Sequence, residues 1–252
     1  MNQESQGYQL FFNFIVKYAD SGFKEINQGD PQMIALEKLM EKNDQFFYIA
    51  DIISLEVLFT SKRSLPMLGV KPSEVNPYFF MEATHPDDLQ RLNLGRSSLI
   101  HRAQDLFIAK KGHFILSTDF RIRNAEYGYK NFLIQCFLFF YPGPHETVYF
   151  LKIHSNIEWY KKGNNFNHFY SGTDYSYFRY PDKELLDIGI NFSGREIEII
   201  KLVEHGLTSI EIGIQLNLSK HTVDTHRRNI LHKAGKAHMS VVVHDLKDLG
   251  LL

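Results

Sequence analysis

Polar and apolar positions change period several times along this chain, and each change marks a different kind of element. Residues 8–43 carry apolar residues at helical spacing, interrupted by turn signals such as "QGDP" from Gln28 to Pro31. From Asp44 the apolar residues come in short runs rich in aromatic and β-branched side chains, "FFYIADI" and "SLEVLFTS", which predict strands. A short helical stretch punctuated by Pro66, Gly69, Pro72 and Pro77 follows. In "HPDDLQRL", Pro86 suits a first helical turn and the two aspartates suit its positive end. "GHFILSTDFRIRN" and "YKNFLIQCFLFFY" flank "AEYGY", a hairpin-like pair, and "TVYFLKIHS" predicts a further strand. Residues 156–190 are punctuated by Gly, Asn and Ser like a linker. Their many aromatics predict that they pack against the preceding module or a partner subunit.

The last stretch, 191–252, returns to helical spacing with start and stop signals at each boundary. Ser193-Gly194-Arg195-Glu196 is a capping box ahead of Ile197, Ile200 and Val203, with Ile199 and Leu202 beside them, and Gly206 ends that helix. Thr208-Ser209-Ile210-Glu211 opens a second helix, read as carrying Ile210, Ile214 and Leu216 inward and ending near Asn217. Ser219 caps a third that Gly235 stops, and "MSVVVHDLKDLG" makes a fourth. Two short helices joined by a tight turn, the second polar on its outer side, describe a helix-turn-helix.

On a helical wheel the third helix places Val223, Ile230 and Ala234, with Leu231 nearby, on one side. His221, Asp224, Thr225, Arg228 and His232 lie opposite. Thr222, Asn229 and Lys233 line one shoulder and Lys220 the other. Such a helix offers hydrogen-bonding groups to base edges while its shoulders meet phosphate. The stretch 219–236 holds five Lys or Arg against Asp224 alone, a local net charge of +4 in a chain whose formal net charge is −1. Positive charge is thus focused on one helix, and the chain as a whole is no polybasic coat.

Cys136 is the only cysteine, which excludes an intrachain disulfide and a cysteine-based zinc site. It sits within a predicted strand, where a core thiol is the expected role. The opening "MNQESQGYQL" lacks a basic region followed by an apolar stretch, so no signal peptide is expected. The densest apolar run, Phe137 to Tyr141, is far shorter than the roughly 20 residues a membrane span needs. A cytoplasmic protein with no membrane partner is expected. A Gly-rich phosphate loop, a metal-spaced His/Cys cluster and a persuasive nucleophile–base pair are all lacking, so no enzyme is expected. Length alone favours two domains weakly.

Two resemblances sharpen this reading. On His85-Pro86-Asp87-Asp88, "FRIRNAEYGYKNF" and the closing strand ending at Asn156, residues 44–155 resemble a PAS domain. That family senses small molecules, binds cofactors or dimerises. The resemblance admits a small-molecule ligand of unknown identity here, while no cofactor or metal is predicted. On "FSGREIEII", "HGLTSIEIGIQLNLSKHTVDTH" and "NILHKAGK", the segment from Phe192 to Lys236 resembles the LuxR/GerE-type helix-turn-helix. The expected fold is α+β: an N-terminal extension (1–43), a PAS-like antiparallel sheet with helices (44–155), an aromatic-rich linker (156–190) and an all-α, four-helix LuxR-type domain (191–252).

The second resemblance implies a transcription regulator that binds double-stranded DNA as a homodimer, with its third helix in the major groove. Carried over by position, Asp224, Thr225 and Arg228 face bases, and Thr222, His226 and Lys233 are candidates for backbone contact. Lys220, His221 and Arg227 complete the expected DNA-binding set. Arg227 stands where an apolar residue is common, with a phosphate or Glu198 as expected partner for its head. Gly213 stands where alanine is usual. Asp224 either accepts from a cytosine amino group or holds Arg228 one turn away. Two alternatives stay open: a signalling enzyme with an unrecognised site, and a helix-turn-helix that meets RNA polymerase instead of an operator.

Overall fold

The computed structural model describes residues 3–144, 146–161, 168–175, 178 and 192–248. The chain divides into two compact units, 1–188 and 189–252.

The first unit is built on a six-stranded antiparallel sheet in the order β2-β1-β5-β4-β3-β6. Its strands are β1 (Gln45–Asp51), β2 (Glu56–Thr60), β3 (His113–Arg123), β4 (Tyr129–Tyr141), β5 (Thr147–Asn156) and β6 (Phe169–Gly172). Side chains alternate between the two faces of a strand, so a sheet covered on both faces needs apolar residues at nearly every position. That is why "FLIQCFLFFY" in β4 is almost unbroken: Phe132 to Phe140 are all buried.

One face carries Phe47, Ile49, Ile115, Phe137, Phe139, Leu151 and Ile153, packed under Phe11 and Phe14 of α1 (Gln3–Tyr18) and Met33, Leu36 and Met40 of α2 (Pro31–Lys42). The rings of Phe14 and Phe47 meet edge-to-face at 5.5 Å. Each such side chain contributes about 1.5–3 kcal/mol on burial. The described residues of the N-terminal helical extension, from Phe11 to Met40, therefore supply about half of this core. α2 begins at the end of the "QGDP" turn: Asp30 is its N-cap, accepting from the Gln32 amide, and Pro31 opens the helix.

The other face is covered by α3 (Ser64–Leu68), α4 (Phe79–Ala83) and the long α5 (Leu89–Ala109). The His85–Asp88 turn fixes where α5 begins. His85 caps a 3-10 turn over Pro86–Asp88 by accepting from the Asp87 amide at 3.2 Å. Asp88 turns inward and accepts from the Arg121 guanidinium of β3 at 2.9 and 3.0 Å. Burial pushes the Asp88 carboxyl up, but these bonds outweigh it and hold it below the usual aspartate range.

The segment expected to be a linker is, where described, part of this unit. β6 pairs with β3 from Thr118↔Phe169 to Ile115↔Gly172. His168 donates its backbone amide to the buried Asp119 carboxylate at 2.6 Å, and Lys161 forms an ion pair with the same group. Gly and Asn at linker frequency masked a strand only four residues long.

The second unit holds four helices: α6 (Gly194–Glu204), α7 (Ser209–Leu216), α8 (Lys220–Ala234) and α9 (Met239–Asp248). Their common core is Ile199, Ile200, Ile212, Val223, Ile230, Met239, Val242 and Leu246. Both capping boxes form, at Ser193/Glu196 and Thr208/Glu211, and Ser219 caps α8 through the Thr222 amide. One expectation fails: Ile210 and Ile214 are 57% and 75% exposed. In α7 the core takes Ile212, Gly213 and Leu216, and residues two positions either side of Ile212 point roughly the opposite way. Among the described residues, no helix is long and apolar enough to cross a membrane.

Candidate nucleic-acid interface

α8 is anchored by its apolar stripe, with Val223 and Ile230 fully buried and Leu231 and Ala234 partly so. That orientation leaves His221, Arg228, Asn229, His232 and Lys233 exposed and Thr222, Asp224, Thr225, His226 and Arg227 half-buried. His221, Asp224, Thr225 and Arg228 accordingly share one outward side, as the wheel predicts. Thr225 donates its hydroxyl back to the His221 carbonyl at 3.0 Å, which fixes its rotamer.

Side-chain pairing redistributes the charge that the sequence concentrates here. Asp224 accepts from Lys220, one turn earlier, at 2.8 Å, and not from Arg228. The bond from Lys220, aided by the Ser209 hydroxyl of α7, holds the Asp224 carboxyl below its usual range. Arg227 reaches the same Ser209 hydroxyl at 3.3 Å, and no ion pair joins it to Glu198, whose partner is Arg195. Ser209 thus ties the acid and the arginine of α8 to the start of α7.

Lys233, though exposed, binds the buried Glu196 carboxylate at 2.7 Å. That carboxylate also accepts the Ser193 backbone amide, closing the α6 capping box. Burial pushes Glu196 up, but Lys233 and Ser193 outweigh it and lower its pKa. Lys236 pairs with Asp245 of α9 at 2.8 Å. Of the five basic residues in 219–236, three are therefore neutralised within the domain, and among the described residues Arg227 and Arg228 have no acidic partner within ion-pair distance. Sequence reasoning placed the outward residues and the cap at Glu196 but missed the bonds that Ser209 and Glu196 make to α8. Both act between helices, where periodicity along one helix carries no signal.

The turn between α7 and α8 sets the angle of this face. Asn217 adopts left-handed backbone at φ +55°, and the Leu218 amide bonds to the Gly213 carbonyl at 2.8 Å. A methyl group at Gly213 would lie 2.7 Å from the Leu218 carbonyl oxygen, so any larger residue here would force the turn to shift.

Residues 191–244 match the family model of bacterial regulatory proteins, luxR family. The C-terminal unit is a LuxR-family helix-turn-helix domain. No curated protein matches the chain. Among solved structures, it is similar to a phage VqmA–DPO complex at 13% identity, covering 98% of this chain and 91% of that one, with a TM-score of 0.32. It is similar to a Vibrio cholerae VqmA dimer without target DNA at 11% identity, covering 86% and 88%, with a TM-score of 0.35. It is similar to Escherichia coli SdiA at 16% identity, covering 96% and 98%, with a TM-score of 0.26. Likenesses this weak identify neither ligand nor partner.

Proposed function

We propose that this chain is a homodimeric, sequence-specific transcription regulator whose α8 enters the major groove and whose N-terminal, PAS-like unit receives the signal. The observation that supports it best is the outward side of α8. There a LuxR-family domain presents Arg228 exposed, and among the described residues without an ion pair, beside Thr225 and an ion-paired Asp224. Arg228 is the strongest base reader, since a guanidinium can take guanine by two hydrogen bonds. Asp224 and Thr225 flank it. Thr222, His221, His226, Lys220 and Arg227 meet the sugar-phosphate backbone from the shoulders. Lys233 acts chiefly by fixing α8 to α6 through Glu196.

One such domain presents a small interface and reads a short site, so useful specificity calls for two copies. A homodimer on an inverted repeat, with half-sites about one helical turn apart, satisfies that need. Sedimentation of the full chain, free and on duplex DNA, tests the assembly. Two protomers per duplex are expected, and a monomer in both states would contradict the proposal.

A further inference from the structure

Where α7 packs on α8, one hydroxyl serves two charged groups of opposite sign. Ser209 is the first residue of α7. Its Oγ accepts from Arg227 Nη1 of α8 at 3.3 Å. The same hydroxyl acts on Asp224. The Lys220 bond first and the Ser209 bond second hold that carboxyl below its usual range, and the Arg227 charge adds to them. Ser209, Asp224 and Arg227 are all half-buried, whereas Arg228 beside them is exposed.

Asp224 and Arg227 stand three residues apart, a spacing at which an acid and a base on one helix reach each other. Among the described residues, no ion pair joins them. Asp224 pairs instead with Lys220, on the turn before, at 2.8 Å. A serine hydroxyl has one proton to give and lone pairs to receive with. Set between a carboxylate and a guanidinium, it satisfies both, donating to Asp224 and accepting from Arg227. A carboxylate offers about four acceptor positions, so Asp224 keeps some of them for a further donor. A direct Asp224–Arg227 pair would be a fork of charge-assisted bonds that occupies both carboxylate oxygens. Removing the hydroxyl takes away the interposed group and lets that fork close.

We infer that Ser209 is a positioning residue for base reading: its hydroxyl, set between Asp224 and Arg227, keeps the guanidinium from closing on the carboxylate and so keeps Asp224 open to a base edge. The group that Asp224 stays open for is a hydrogen-bond donor of the major groove, the exocyclic amino group of cytosine or adenine. Ser209 itself touches no base. The inference rests on the reading of α8 as the base-reading helix and adds a specificity determinant that lies on α7.

Sites that the full-length wild type selects from random duplex DNA, with their single-base variants, are the probes. Competition binding should show Ser209→Ala losing about tenfold of the preference at the position that Asp224→Asn also alters. Affinity for non-specific duplex, which phosphate contacts carry, should change by less than about twofold. Ser209→Thr, which keeps the hydroxyl, should retain the preference. Ser209→Ala added to Asp224→Asn should cost nothing further at that position. Arg227→Met added to Ser209→Ala should restore the preference, because no guanidinium remains to close on Asp224. Specific and non-specific affinity falling by the same factor in Ser209→Ala, no position altered by Asp224→Asn, or a preference that Arg227→Met fails to restore would each overturn the inference. A wild type that selects no site would overturn the base-reading proposal with it. A wild type that selects a site whose preferences Ser209→Ala leaves untouched would sink this inference alone.

Discussion

Asp224 is a carboxylate on a surface that we propose meets phosphate, and its surroundings explain how that is tolerated. Lys220 and Ser209 already engage it, so its field at the DNA is that of a partly satisfied dipole. Asp224→Asn should change base preference at one or two positions, on the order of tenfold, while non-specific affinity stays level or rises. Competition binding with single-base variants of a selected site checks this. A preference that does not move would reduce Asp224 to a positioning partner of Lys220.

Glu196 is the quieter residue with the larger structural role. Its carboxylate serves the cap of α6 and the Lys233 ammonium at once. Because its pKa is lowered on folding, its contribution is present above the usual glutamate range and fades as pH falls below about 4. Hydrogen exchange across residues 194–204 should accelerate on acidification in the wild type. In Glu196→Gln it should already be faster at neutral pH, by the equivalent of about 1 kcal/mol. An unchanged exchange pattern would show that the pair carries no stability. The capping role of Glu196 was legible three residues after Ser193. Its bond to Lys233, 37 positions away, was not, because only the packing of α6 on α8 creates it.

At the scale of elements, punctuation proved more legible than periodicity in short helices. The capping boxes, the cap at Ser219 and the glycine stop at Gly235 all sit where the residues place them. The inward side of α7 did not, because eight residues give barely two turns and Ile210, Ile212 and Ile214 offer a choice of sides. The strands were legible as strands, yet β6 hid in a glycine- and asparagine-rich stretch. The packing of α1 and α2 on the sheet is a long-range fact that local pattern does not carry.

Gly213 gives the sharpest element-scale prediction. Helix propensity alone would make Gly213→Ala stabilising by about 1 kcal/mol. The added methyl would stand 2.7 Å from the Leu218 carbonyl, a backbone atom that cannot step aside without opening the turn. Gly213→Ala should therefore destabilise the C-terminal domain by about 1–3 kcal/mol and weaken DNA binding by tilting α8. Thermal unfolding followed by exchange in residues 209–234 checks it, and a melting temperature equal to or above wild type would contradict it.

For the whole molecule, the balance of charge decides how it meets DNA. With Lys220, Lys233 and Lys236 all ion-paired inside the domain, the phosphate component rests on few residues. The logarithm of affinity should fall with the logarithm of salt less steeply than five free cations would give. Arg227→Ala should flatten that slope by about one charge. Lys233→Ala should change stability more than slope. Equal flattening by both would mean that the Glu196 pair opens on DNA.

The central claim is that the outward side of α8 reads base sequence, and selection of binding sites from random duplex DNA by the full chain tests it most directly. The account predicts that wild type enriches an inverted repeat, and that Arg228→Ala loses preference at one position of each half-site while retaining non-specific binding. Failure of wild type to enrich any sequence, or identical selected sites from wild type and Arg228→Ala, would contradict it.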